Sequence, residues 1–265
     1  MATNLVTYEV SEGVATLTLN DPPQNAYTHE MMKDLDAAIL EARFDNEVHV
    51  VVVTGHGEKF FCAGANIRML SEVDPTFKYY FCLHANETLS RLEHTPKLVV
   101  AAINGHCVGG GLEIAMACDL RVARRGGGKI GLPEVGLGVL PGTGGTQRLA
   151  RIVGKARALQ MMVEGENLDL ERATELGLVN RIVDAPSRDA FMHEVTTYAR
   201  GFCPPNKAAL AVGRIKRAVQ SGAEVPLEQG LALERELQAE LFASGDAAEG
   251  LNAFVGKRKA QFKGR

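Results

Sequence analysis

From Val14 to Leu19 apolar and polar side chains alternate behind a turn-like Glu12-Gly13, which predicts a strand with one buried face. Val48 to Thr54 is apolar almost throughout and predicts a strand covered on both faces. Between them Met31, Met32, Leu35, Ile39 and Ala42 recur at helical spacing behind Thr28, a suitable N-cap, with Glu30 in the first turn. Strand, helix, strand is the grammar of an α/β fold. It continues with a strand at Leu98 to Asn104, a helix at Leu112 to Cys118 and a strand at Asp119 to Arg124. The segment from Leu70 to Tyr80 is expected to be a loop leading into a helix from Phe81 to Leu92. Gln147 to Val163 fits one helix, and Leu176 to Val183 closes on a short strand-like run. Beyond Arg200 the grammar changes. Cys203 to Asn206 is linker-like, and the remainder of the chain favours helix, including Leu227 to Phe242 and Ala247 to Phe254. The pattern predicts an α/β core over residues 1–200 and a helical region over 201–265.

The length of 265 residues suits one large domain with an appendage or two domains, at about 150 residues each. Such a chain needs neither disulfide nor metal to hold a core. A formal charge of −3 argues against a dedicated nucleic-acid binder. Its apolar runs fall short of the roughly 20 residues that span a bilayer, so no membrane association is expected. Cysteines at 62, 82, 107, 118 and 203 form an odd set without a CxxC pair, and the first residues carry no secretory pattern. The cytoplasm is the expected compartment.

Candidate chemistry concentrates in three segments. In Asn104 to Asp119, Gly109 to Gly111 stand between a strand and a helix, where backbone can approach a ligand and the first helical N–H groups point outward. Such a helix start can hold an anion or steady a developing oxyanion; it can equally be a tight crossing. Glu113 comes next, in the first turn, within an otherwise apolar run. In Gly131 to Leu149, Glu134 succeeds Pro133 among Leu132, Val135, Leu137, Val139 and Leu140. Two acids beside glycine-rich turns suit acid/base work with raised pKa values, or structural ion pairs with Arg121 or Arg148. In Gly57 to Leu70, the turn Cys62-Ala63-Gly64-Ala65 precedes Asn66, a good N-cap. Its N–H groups could converge with that of Gly110 on one oxygen.

Other motifs fail. Gly126, Gly128 and Gly131 match GxGxxG but open no helix, His29-Glu30 and His193-Glu194 lack the second zinc histidine, and Gly154-Lys155 lacks the Ser/Thr of a phosphate loop. No nucleophile elbow occurs. His106 is the one histidine placed inside a candidate segment. The basic tail of Lys257, Arg258, Lys259, Lys263 and Arg265 suits a solvated surface or a phosphate contact.

Taken in order, Asn25 to Tyr27, FCAGANI, NGHCVGGGLEIAMACD, GLPEVGLGVLPGTGGTQRL, Ala173 to Val183 and DAAEGLNAFVGKRKAQF resemble the crotonase family of enoyl-CoA hydratases and isomerases. The resemblance covers almost the whole chain. It implies an α/β spiral of ββα units with a helical C-terminal region, assembly as a homotrimer or homohexamer, and work in fatty-acid β-oxidation. It also implies an acyl-CoA substrate and no metal or cofactor, coenzyme A being part of the substrate. Ala65 and Gly110 match the oxyanion amides, and Glu113 and Glu134 match the two acids of the hydratase branch. Backbone around Gln24, Asn25 and Ala26 and around Ala63, Gly64 and Ala65 would cradle CoA, Lys59 would lie near its phosphates, and Phe262 and Lys263 would reach a neighbour's CoA. The chain departs from the family at Asp21, Asn66 and Ala260, where Arg, Asp and Pro are frequent. The expected activity is hydration of a 2-enoyl-CoA. Alternatives on the same scaffold are an isomerase or decarboxylase using Glu134, or a non-catalytic protein binding acyl-CoA or RNA.

Overall fold

The computed structural model describes residues 4–264, and Arg265 of the basic tail lies outside them. Six strands form the larger sheet in the order β1 (Val6–Ser11), β2 (Val14–Leu19), β3 (Val50–Gly55), β5 (Leu98–Ile103), β7 (Leu120–Arg124) and β10 (Arg181–Val183). The first pair is an antiparallel hairpin, and β2 through β10 run parallel. The smaller sheet joins β4 (Phe60–Cys62), β6 (His106–Val108) and β8 (Ile130–Gly131) in parallel, with β9 (Asn167–Leu168) antiparallel at its edge. Each turn of the chain therefore leaves one strand in each sheet, β3 with β4, β5 with β6, and β7 with β8. This is the spiral that the family resemblance implied.

The apolar run in β3 has the expected cause. Val51 and Val53 join the main core with Val99 and Ala101 of β5, under α1 (His29–Phe44) and α3 (Pro75–Glu93). Val50 and Val52 face the other way with Val100 and Ala102, covered by Phe191, Val195 and Ala199 of α8 (Arg188–Arg200). A strand buried on both faces cannot alternate. Burying a side chain such as Phe191 there contributes roughly 1.5–3 kcal/mol.

Helix α1 starts where Thr28 accepts from the Met31 amide, as its sequence predicted. Two expectations fail. The 70–80 segment is mostly helical: α2 (Ile67–Glu72) begins after its Asn66 cap, and α3 begins at Pro75, where Asp74 accepts from the Thr76 and Phe77 amides. An Asp-Pro start satisfies two orphan donors and places proline where no N–H is needed. The segment expected as a single helix from Gln147 divides into α5 (Gly145–Val153) and α6 (Lys155–Glu164), because Gly154 sits at φ +85°. After α4 (Gly110–Met116) and α7 (Leu170–Glu175) of the core, the C-terminal region comprises α9 (Ala209–Gly222), α10 (Leu227–Phe242) and α11 (Gly245–Val255). Among the described residues no helix is long and apolar enough to cross a membrane.

Candidate active site

The three parallel strands of the small sheet end side by side, and each hands the chain to a turn carrying a candidate residue. Strand β4 leads into Ala63-Gly64-Ala65, β6 into Gly109-Gly110, and β8 into Leu132-Pro133-Glu134. Sequence separation disappears at this edge. A Cβ built on Gly64 would stand 3.1 Å from the Gly110 nitrogen, so the two turns touch through backbone. The Ala65 turn is held by Tyr27, whose amide donates to the Gly64 carbonyl at 2.9 Å and whose carbonyl accepts from the Asn66 amide at 3.0 Å. That pairing leaves the Ala65 N–H unused. Neither it nor the Gly110 N–H has a protein acceptor among the described residues. Two such amides can donate to one oxygen.

The glycines here serve packing as well as access. Gly109 turns at φ +56°, and a Cβ there would meet the Glu134 Oε1 at 3.1 Å. A Cβ on Gly110 would lie 2.3 Å from the ring of Tyr27, and one on Gly111 would lie 2.1 Å from the Cys62 carbonyl oxygen. The tight crossing and the open amide are properties of one turn.

Glu113, in the first turn of α4, is only 2% exposed. Its Oε1 accepts from the amides of Thr143 and Gly145, each at 2.7 Å, and its Oε2 accepts from the Thr143 hydroxyl. Burial pushes its carboxyl above the usual range, while these three donors pull against that shift. A carboxylate has about four lone-pair sites. Three are occupied, which leaves one for water. The Thr143 hydroxyl also meets the Tyr27 hydroxyl at 3.0 Å. When Glu113 is ionised the Thr143 hydroxyl donates to its Oε2, and the Tyr27 hydroxyl is then the donor to Thr143. Burial, and next the nearby Glu113 charge, hold the Tyr27 phenol well above its ordinary pKa and so keep it a donor.

Glu134 starts a 3-10 turn over Glu134–Leu137. Its Oε2 is buried without a hydrogen-bond partner. Burial pushes its carboxyl up to about 7, the Glu113 charge adds to the rise, and Lys78 opposes it. An acid of that strength exchanges protons near neutrality. Among the described residues neither acid is locked to an arginine. Arg148 pairs with Glu93 at 2.7 Å, and Arg121 donates to the Leu178 and Cys118 carbonyls.

Ala63, Gly64, Ala65, Gly110, Glu113 and Glu134 line one cavity of about 100 Å³, with Ile67, Leu70, Leu137, Val139 and Leu140 as its apolar wall. A groove of about 690 Å³ between α3, α5 and α9 is larger but holds none of the predicted site residues. Three residues that the sequence did not single out complete the site: Thr143, Gly145 and Tyr27, all of them within the motifs that carry the family resemblance. Cys62 beneath the site is fully buried, and burial raises its thiol to about 12, so it supplies no thiolate.

Other expected residues stand apart from the cavity. Asn25, at φ +51°, is wholly buried, and its amide donates to the carbonyls of His56, Phe60 and Phe61. Its side chain is a structural clamp, which leaves only backbone near Gln24 and Ala26 to meet a ligand. Lys59 is exposed beside the Phe60 ring. Phe262 packs over Gly250, and the Lys263 amide donates to Asp246 at 2.8 Å, so the tail lies along α11 of its own chain. His106 lies at the far end of β6 and is not among the residues lining the cavity. Its Nδ1 accepts from the Lys129 amide, and its ring lies by Phe60. Among the described residues no group of three or more His, Cys, Asp or Glu could hold a metal.

The family model for enoyl-CoA hydratase/isomerase matches residues 9–265. The chain is 39% identical to a short-chain-enoyl-CoA hydratase of Clostridium acetobutylicum over the full length of both. It is 36% identical to a 2,3-dehydroadipyl-CoA hydratase of Escherichia coli, over 95% of this chain and 96% of that one. A solved enoyl-CoA hydratase from Geobacillus kaustophilus superposes with a TM-score of 0.94 at 46% identity, covering 98% of this chain and 97% of the other. By family model, full-length relatives and fold together, the chain belongs to the enoyl-CoA hydratase/isomerase (crotonase) family.

Proposed function

We propose that the protein hydrates 2-enoyl-CoA thioesters, with Glu113 and Glu134 as the acid/base pair and the Ala65 and Gly110 amides as the oxyanion hole. The observation that carries this reading is the lining of one cavity by four groups: two carboxyls of unlike environment and two backbone donors without protein acceptors. Addition of water to a conjugated thioester drives negative charge onto the carbonyl oxygen. Each amide aimed there is worth about 3 kcal/mol in the transition state. The remaining acceptor site of Glu113 holds the water and takes its proton as the oxygen bonds to Cβ. Glu134, partly protonated near neutral pH, delivers a proton to Cα. Nothing leaves: one C–O and one C–H bond form, the C=C π bond breaks, and the proton gained by Glu113 returns to Glu134 through solvent.

Backbone at Gln24 to Ala26 and Ala63 to Ala65 carries the CoA moiety, with Lys59 toward its phosphates. Phe262 and Lys263 act on a neighbouring subunit's CoA within a trimer or pair of trimers. Apolar side chains left exposed on the C-terminal helices support such an assembly, including Leu227, Phe242, Leu251, Phe254 and Val255.

The test is loss of the enoyl-thioester absorbance of crotonyl-CoA. Glu113→Gln and Glu134→Gln are each expected to lower kcat by about 10²- to 10⁴-fold. Full activity in Glu113→Gln refutes the assignment, and Cα proton exchange without hydration in the unaltered protein favours an isomerase.

A further inference from the structure

Lys78 is the one cation among the residues lining the cavity, whose wall is otherwise apolar apart from the two acids, Thr143 and Tyr27. It belongs to α3, which is already helical here, where the sequence pattern predicts a loop. Its neighbours Phe77, Tyr79 and Tyr80 are exposed, but Lys78 turns inward and is half-buried. The ammonium stands 5.2 Å above the Phe81 ring, and Phe81 is stacked on Tyr27 at 5.6 Å. A cation over an aromatic face is oriented rather than free to sweep through solvent. No carboxylate lies within ion-pair distance of it among the described residues, whereas Arg148 and Arg151 of the neighbouring groove are each paired with a glutamate. A half-buried cation without a protein counter-ion favours an anionic ligand.

Resting on the hydratase reading, we propose that Lys78 recognises a carboxylate carried by the acyl chain, so that the preferred substrates are 2-enoyl-CoA thioesters of dicarboxylic acids. The anion belongs to the acyl chain rather than to CoA because Lys78 shares the cavity with Glu134 and the apolar wall of Leu137, Val139 and Leu140. The expected phosphate contact, Lys59, is exposed by Phe60 and is not part of that lining. The carboxylate is untouched by the reaction; it orients the chain so that Cα and Cβ meet the two acids. Relatives with similar identity carry names for both short-chain and dehydroadipyl thioesters, so overall likeness does not select the acyl group.

The experiment measures kcat/KM at one pH for two length-matched pairs: glutaconyl-CoA against 2-pentenoyl-CoA, and 2,3-dehydroadipyl-CoA against 2-hexenoyl-CoA. The unaltered protein is expected to prefer the acid in at least one pair. In Lys78→Met the acid-to-neutral ratio is expected to fall by about 10- to 100-fold, the range for a lost hydrogen bond to a charged group, and Lys78→Arg is expected to recover most of it. A preference for the neutral partner in both pairs overturns the proposal. So does an equal loss on acid and neutral thioesters in Lys78→Met, the pattern of a cation serving the CoA phosphates. If crotonyl-CoA is hydrated and none of the four thioesters is, this inference fails alone; if crotonyl-CoA is not hydrated either, the hydratase reading fails and this inference with it.

Discussion

Glu113 and Glu134 have the same side chain, and their surroundings give them different acidities. Glu113 is buried but held by three donors, two of them backbone amides whose positions cannot relax. Glu134 has an orphaned oxygen and a carboxyl raised to about 7 by burial. If Glu134 is the proton donor, kcat/KM for hydration falls as pH rises through about 7, and a pH-rate profile should show that limb vanish in Glu134→Gln. The same shift bears on stability. Between the ordinary carboxyl pKa near 4.5 and about 7, the folded chain holds a proton at Glu134 that the unfolded chain has lost. Stability therefore declines as pH rises through that window. Glu134→Gln should melt at a higher temperature than the unaltered protein at pH 8, by a few degrees, and the advantage should disappear below pH 4.5. Thr143 holds Glu113 through both its amide and its hydroxyl. Thr143→Val keeps the amide and removes the hydroxyl, and kcat should drop about 10- to 100-fold with little change in KM, since a hydrogen bond to a charged group is worth about 1.5–3 kcal/mol. Unchanged kcat would mean the hydroxyl plays no part in positioning the base.

The strand-to-helix turns bring these residues together, and their tolerance is set by backbone contact. Gly111 lies so close to the Cys62 carbonyl that a methyl group forces β4 and α4 apart. Gly111→Ala should destabilise the protein by about 1–3 kcal/mol, seen as a melting temperature lowered by roughly 2–4 °C per kcal/mol. A melt within 1 °C of the unaltered protein would show that the crossing is looser. Helix α1 and the Asn66 cap of α2 were legible because an N-cap and apolar periodicity are local properties. The Asp74-Pro75 start of α3 carried an equally local signal, yet the exposed Phe77, Tyr79 and Tyr80 blurred the periodicity around it. The break at Gly154 is different, since a glycine within a helical pattern can be accommodated or can end the helix, and only the backbone dihedral distinguishes them.

In the molecule as a whole, the spiral covers its large sheet on both faces, while the C-terminal helices keep apolar side chains in solvent. Phe254 is 85% exposed and Val255 81%, at the end of α11. Covering such residues is the main driving force for association. Sedimentation analysis should therefore give three or six times the chain mass of 28.5 kDa. Replacing Phe254 and Val255 with Asp should shift the mass toward that of one chain. A monomer in the unaltered protein would remove the basis for a shared CoA site involving Phe262 and Lys263.

Strands β2, β3, β5 and β7, helix α1, the absence of alternation in β3, the glycine-rich turns and the two acids beside them were legible in the amino-acid order. They depend on residues within a few positions of one another. Adjacency, only implied by the family resemblance, was not fixed by the local pattern: Ala65, Gly110 and Glu134 meet because β4, β6 and β8 are parallel neighbours ending at one edge, a matter of long-range pairing. The same holds for the grip of Thr143 and Gly145 on Glu113, the unpaired oxygen of Glu134 and the inward turn of Lys78. Each arises from groups distant in the chain sharing a low-dielectric space, and burial in that space decides which carboxyl is tied down and which holds its proton.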